Sequence, residues 1–203
     1  QAFSEDKHIK ESARNLEIGK CYVTPGWQES GMAMVVVTRR HKQGGITAGF
    51  YLIDTFCLGL KDTYYFFNIT EREFEQSMEL FGMADGTEDA TYAEAHNIIY
   101  SAIEFAREGG IKPHKDWAVT KYILEEDDDR VPMIEYKMGR DGKHFLMARD
   151  RQELSTYLPT LLDHLGEDGV DYLVDDDYLD DYGEDDDYDD EISDKELAEM
   201  LSK

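Results

Sequence analysis

A chain of 203 residues with 41% apolar and 12% aromatic side chains can fill one sizeable core, and its 46 acidic against 21 basic residues set a net charge of −25. Affinity for duplex nucleic acid comes largely from Lys and Arg displacing phosphate counterions, so this balance disfavours direct nucleic-acid binding and makes a basic protein the more natural partner. Cys21 and Cys57 lack metal-ligand spacing, Gln1 opens no signal-like stretch, and no apolar run nears the roughly 18 residues of a membrane span; a zinc site, a disulfide scaffold and a bilayer are disfavoured, and a reducing cytoplasm is expected.

Residues 1–20 are charged and read as a short helix or irregular lead-in that closes with Ala13-Arg14-Asn15-Leu16-Glu17-Ile18-Gly19. Two β-branched and aromatic runs, Met34 to Thr38 and Ile46 to Phe56, are joined by Lys42-Gln43-Gly44-Gly45, a combination that signals a hairpin. Both runs are apolar at successive positions, which predicts a sheet covered on both faces. A third strand, Thr63 to Asn68, follows a turn around Gly59.

Helix starts are announced by their caps. Thr70 with Glu73, and Thr91 with Glu94, match the capping box in which two side chains satisfy the orphan amides of the first turn. The first helix should run to Gly82 and the second to Gly109-Gly110; the wide apolar arc Ala95, Ile98, Ile99, Ala102, Ile103, Phe105 and Ala106 makes the second the central helix. Asp116 can cap a third, Trp117 to Leu124. A second hairpin is expected from Val131 to Met138 and Lys143 to Ala148, turning on Arg140-Asp141-Gly142. Asp150 with Glu153 opens a last main helix to about Leu165, bent at Pro159 and ended by Gly166.

The fold class that follows is α+β: a single domain over residues 1–166, with two hairpins and a third strand packed against about four helices. Residues 167–203 differ in kind. They carry 18 acids against 2 bases, a net −16, whereas the preceding 166 residues carry 28 against 19, a net −9. Within 167–191 the acids come as runs spaced by tyrosines: Asp175-Asp176-Asp177-Tyr178, Asp180-Asp181-Tyr182 and Asp185-Asp186-Asp187-Tyr188. Such a segment buries too little apolar surface to offset its ordering entropy and self-repulsion, and is expected to be a solvated, disordered arm. Over 192–203, Ser193 and Glu196 can cap a short amphipathic helix with Leu197, Met200 and Leu201 on one face; at this length it is marginal in water, and it is either a frayed terminus, a helix that packs back on its own body, or a hydrophobic anchor that folds on docking.

No catalytic signature is present: the chain has no Walker A loop, no dinucleotide-binding GxGxxG, no HExxH and no GxSxG. The segment Asp54 to Asp62 nevertheless places a thiol, two carboxylates and the Lys61 amine at a strand end, and a nucleophilic Cys57 would need His96 or His114 to converge on it as base. The plainer reading makes Cys57 a small buried hydrophobe, Lys61-Asp62 a turn with a local ion pair, His96 a hydrogen-bonded core residue and His114 part of a surface loop. The Asp-rich arm fails the EF-hand test, because aligning Gly183 with the sixth loop position puts Tyr178 and Tyr182 at ligand positions. Neither a metal nor a cofactor is expected.

Set together, Tyr51-Leu52-Ile53-Asp54 with Cys57-Leu58-Gly59-Leu60-Lys61-Asp62, then Ala95-His96-Asn97-Ile98-Ile99-Tyr100 and Pro113-His114-Lys115-Asp116-Trp117, resemble the YLVD-CLGVKD and AHNIIYGA-PHKDF patterns of an uncharacterised bacterial family. The resemblance covers roughly residues 10–150 and implies no settled activity; it directs attention to Asp54, Cys57, Lys61, Asp62, His96 and His114. The functional expectation is a non-enzymatic interaction protein whose acidic arm binds a basic partner, as a chaperone, inhibitor or nucleic-acid mimic does. Its alternative is an enzyme with a site near Cys57, Asp62, His96 and His114.

Overall fold

The computed structural model describes residues 4–84 and 86–175. Helix α1 (Glu5–Ser12) starts at Ser4, whose hydroxyl accepts from the Lys7 amide, and passes through a tight turn into strand β1 (Glu17–Val23). The lead-in is therefore helical only to Asn15. Strand β1 was hidden in the sequence by Gly19 and Lys20, residues poor in β propensity. Gly19 has a steric reason: a Cβ there would sit 2.4 Å from the Thr38 hydroxyl, within an irregularity of the ladder between Ile18 and Cys21.

A single helical turn, α2 (Trp27–Ser30), leads into the hairpin of β2 (Met32–Arg40) and β3 (Ile46–Asp54), paired from Met32↔Asp54 to Arg40↔Ile46. Strand β4 (Gly59–Ile69) pairs with β3, helix α3 (Glu71–Leu80) follows, and β5 (Glu88–Ala90) pairs with β1. The sheet is antiparallel, in the order β4-β3-β2-β1-β5. Helix α4 (Tyr92–Glu108) begins immediately after β5, and both α3 and α4 carry complete capping boxes, from Thr70 with Glu73 and Thr91 with Glu94.

Alternation along β2 sends Val35 and Val37 into one core and Val36 into another. Val35, Val37, Tyr51 and Ile53 pack under α4 with Ile98, Ile99 and Ala102, while Val36, Ala48 and Phe50 pack under α3 with Phe74 and Met78. Each fully buried large side chain in these layers contributes about 1.5–3 kcal/mol of transfer free energy, which is why a strand pair apolar on both faces belongs at the centre.

Helix α5 is one turn (Trp117–Thr120), continued by a tight turn at Lys121–Ile123; the Asp116 side chain makes no capping bond, contrary to expectation. The expected second hairpin also does not form. Arg140 and Lys143 make a single antiparallel bridge, Pro132 to Met138 runs without a ladder, and β6 (His144–Ala148) pairs in parallel with β7 (Val170–Val174) across helix α6 (Arg151–Leu165). Two contacts take the hairpin's place: Gly139 N–H donates to Thr55 O and Phe145 N–H to Phe56 O, each at 2.9 Å. His144, Leu146 and Ala148 of β6 then share a buried side with Val170, closing a third core against Leu154, Leu158 and Leu161 of α6.

The body accordingly extends past residue 166. Residues 167–174, placed in the arm by their charge, form a short turn and β7, and the Asp175 amide continues the ladder to Ala148 O at 2.9 Å. The architecture is α+β, with six helices, the five-stranded sheet and the two-stranded parallel unit among the described residues. The remaining arm positions Asp176, Asp177, Tyr178, Asp180, Asp181, Tyr182, Asp185, Asp186, Asp187 and Tyr188, and the anchor residues Leu197, Met200 and Leu201, lie outside them.

Candidate functional site

At the end of β3 the chain reverses over Asp54 to Gly59, and the Asp54 carboxylate is the template for that reversal. Its Oδ1 accepts from the amides of Phe56 (2.9 Å) and Cys57 (3.1 Å), and its Oδ2 from Leu58 (3.1 Å). Only 5% of Asp54 is exposed, and burial pushes its carboxyl above the ordinary value although the three amides and Lys61 oppose the shift. Gly59 closes the turn at φ +67, where a Cβ would meet Ala106 Cβ at 2.7 Å and Ala102 O at 2.8 Å. The turn thus lies directly on α4.

Cys57 is wholly buried in the core beneath α6, and burial together with the Asp54 charge pushes its thiol far above the normal range. A nucleophile needs the thiolate, so this sulfur is built for packing rather than attack. Lys61 reaches Glu153 at 3.5 Å. Burial pushes the Glu153 carboxyl up, but the Arg149 amide at 2.8 Å, Lys61 and the Arg149 guanidinium at 3.1 Å outweigh it and hold the group below its ordinary value. That knot ties β4 to the start of α6.

Asp62 and His114 do come together. Asp62 Oδ1 accepts from the Thr63 amide at 2.8 Å and lies 3.6 Å from His114 Nε2, while its Oδ2 accepts from the Tyr64 hydroxyl at 2.8 Å. On the other side of the ring, the Asp116 amide donates to His114 Nδ1 at 3.2 Å. An acceptor at Nδ1 leaves the proton on Nε2, facing Asp62, so both nitrogens are engaged in holding the loop before α5 against β4. His96 is elsewhere, fully buried between the rings of Tyr92 and Tyr100 at 5.7 and 4.5 Å. Its Nε2 donates to Glu125 O at 3.2 Å, its Nδ1 has no partner among the described residues, and burial lowers its pKa.

The six positions therefore divide into an Asp54–Cys57 turn, a Lys61–Glu153 knot, an Asp62–His114 pair and a solitary buried His96. Of three grooves of about 580, 450 and 260 Å³, none is lined by any of the six. Neither histidine meets the Cys57 thiol, so the geometry supplies no base for it.

The most elaborate polar cluster was not anticipated. Arg39, 1% exposed, donates to Ile123 O at 2.8 Å, Leu16 O at 3.0 Å and Glu125 Oε1 at 3.0 Å. Tyr92 OH accepts from the Glu125 amide at 2.7 Å, and Arg14 donates to Leu124 O at 2.7 Å and pairs with Glu126 at 3.2 Å. These bonds fasten residues 123–126 across the α4 side of the sheet. A signal existed for half of it: Arg39 lies in phase with Val35 and Val37, so strand parity alone sends it inward. Its partner Glu125, 86 residues away, carries no such signal.

Among the described residues no three His, Cys, Asp or Glu side chains are grouped to hold a metal ion, and no helix is long and apolar enough to cross a membrane. Both cysteines are free and buried. Compared with protein-family models, curated proteins and solved structures, the chain gives no match.

Proposed function

We propose that this chain is a non-enzymatic interaction protein whose polyanionic C-terminal segment binds a basic protein partner, in the manner of a chaperone, an inhibitor or a nucleic-acid mimic. The observation that carries the reading is the charge beyond Asp175, 14 acids against 2 bases over residues 176–203. The body supports it by keeping many of its own cations occupied: Arg14 with Glu126, Arg39 with Glu125, Lys61 and Arg149 with Glu153, Arg130 with Asp128 and Lys143 with Asp171. Counter-charge for the segment is then best found on another molecule, where closely spaced carboxylates imitate a phosphate backbone and tyrosines offer faces to Arg. The two free thiols and the family resemblance fit a bacterial cytoplasm as the setting.

The test compares the full chain with one ending at Asp175, whose amide still bonds Ala148 O of β6. Polylysine should bind the full chain with an affinity that falls steeply with salt, and basic proteins should be recovered from a bacterial lysate by the full chain alone. Equal binding by the two chains would remove the segment from the function.

A further inference from the structure

Pro132 to Met138 joins no ladder yet shows the burial alternation of a strand. Its side chains alternate: Tyr136 and Met138 pack against the core under α4 and Ile134 is half-buried, whereas Met133 is 90% exposed and Glu135 and Lys137 face solvent. Both ends are pinned, by Asn97 Nδ2 donating to Pro132 O at 2.9 Å and by Gly139 N–H donating to Thr55 O at 2.9 Å, and the Tyr136 ring meets Trp27 edge-on at 5.3 Å. Between the pins, no hydrogen bond among the described residues engages the backbone of Met133 to Met138. Backbone amides and carbonyls are obligatory hydrogen-bonding groups, so six consecutive residues with strand alternation and no ladder are an open edge. Packing of Tyr136 and Met138 and the contacts at both ends already hold this stretch in place, which lowers the entropy cost of adding a strand to it.

The charge around the edge specifies what fits. The acidic run Glu125 to Asp129 leads straight into it, and Asp127 and Asp129 have no ion-pair partner among the described residues. Glu29 and Glu135, equally unpaired there, line the groove of about 450 Å³ beside this edge together with Lys137 and Arg140, and the Tyr136 ring is also placed there to meet a cation. Lys137 stands toward the other end, so the edge is acidic on its Pro132 side and basic on its Gly139 side.

We propose that Met133 to Met138 accepts an extended basic segment of a partner protein as an added strand, with that segment's lysines or arginines set against Asp127, Asp129 and Glu135. Main-chain bonds supply the affinity and the acidic end supplies the selection. The inference rests on the proposed reading for the partner's charge; it does not rest on the C-terminal segment.

The probe is a capped peptide alternating lysine with valine, and a twin N-methylated at every second residue, which keeps the charge but cannot form a ladder. Each is titrated into the full chain at low and high salt while residue-resolved amide hydrogen exchange is followed. In the free chain, amides 133–138 should exchange fast. The unmethylated peptide should slow alternate amides of this stretch by about tenfold or more, at both salt concentrations, and the twin should not. Glu135→Lys should weaken the effect severalfold while leaving the melting temperature of this exposed site unchanged. Slow exchange before any peptide is added, no slowing with it, or equal slowing by the twin would overturn the inference. Equal binding of both peptides, lost in a chain ending at Asp175, would sink the added strand while leaving the acidic-segment reading intact; ladder protection that persists in that shorter chain supports the added strand whatever the segment binds.

Discussion

Asp54 holds three buried amides with two oxygens, so its worth lies in what its loss leaves unpaired. Asp54→Ala should destabilise the fold by about 3 kcal/mol in urea melts, and Asp54→Asn, which keeps one acceptor oxygen, by less. Equal losses would mean that the charge, rather than the acceptor count, organises the turn. His96 presents the opposite case, a titratable ring that burial keeps neutral below its ordinary value of 6.5. The folded chain then binds this proton less readily than the unfolded chain. Stability attached to His96 is complete above about pH 6.5 and is lost as the pH falls through the lower folded-state value. Glu125, Glu126 and Asp127 nearby oppose the shift without reversing it. His96→Gln can still donate to Glu125 O but cannot titrate. It should cost on the order of 1–3 kcal/mol near neutral pH and progressively less on acidification, read from melts across the range. A cost independent of pH would show that the folded and unfolded chains bind this proton alike, so that burial does not shift the ring.

Among the elements, β7 decides where the body ends. Val170 is 5% exposed in the core beneath α6, and five residue pairs bind β7 to β6. A chain ending at Gly166 should lose several degrees of melting temperature relative to one ending at Asp175, because it exposes the apolar edge of β6 and the underside of α6. Identical melting of the two would return residues 167–174 to the arm. Helix starts were legible in advance because capping is local: Thr70, Thr91 and Asp150 each bond an amide three residues on. Strand partners were not. The period-two pattern of Val131 to Met138 truthfully reported an extended chain resting on a core, but alternation records which side is buried and nothing about which neighbour, if any, completes the ladder.

At the level of the whole molecule, a net charge of −25 means that like-charge repulsion works against compactness. Added sodium chloride should therefore raise the urea midpoint of the full chain, steeply up to about 0.2 M and little beyond, as the Debye length shortens. A midpoint that falls with salt would show that ion pairs such as Arg39–Glu125 outweigh the repulsion. The candidate site divides along the same line of range. That Asp54, Cys57, Lys61 and Asp62 cluster at a strand end could be read from their spacing; that Cys57 faces the α6 core, that His96 lies under Glu125 and that His114 meets Asp62 could not.

The α+β class, the central apolar hairpin, the capped starts of α3, α4 and α6 and the concentration of acid after residue 166 were legible in the amino-acid order, because each depends on propensity, periodicity or charge within a few residues. The pairing of β6 with β7, the burial of Arg39 against Glu125 and the missing ladder at Met133 to Met138 became visible in the folded chain alone. Those outcomes depend on contacts between residues tens of positions apart, and a chain's local pattern records the burial of each residue without naming the surface that buries it.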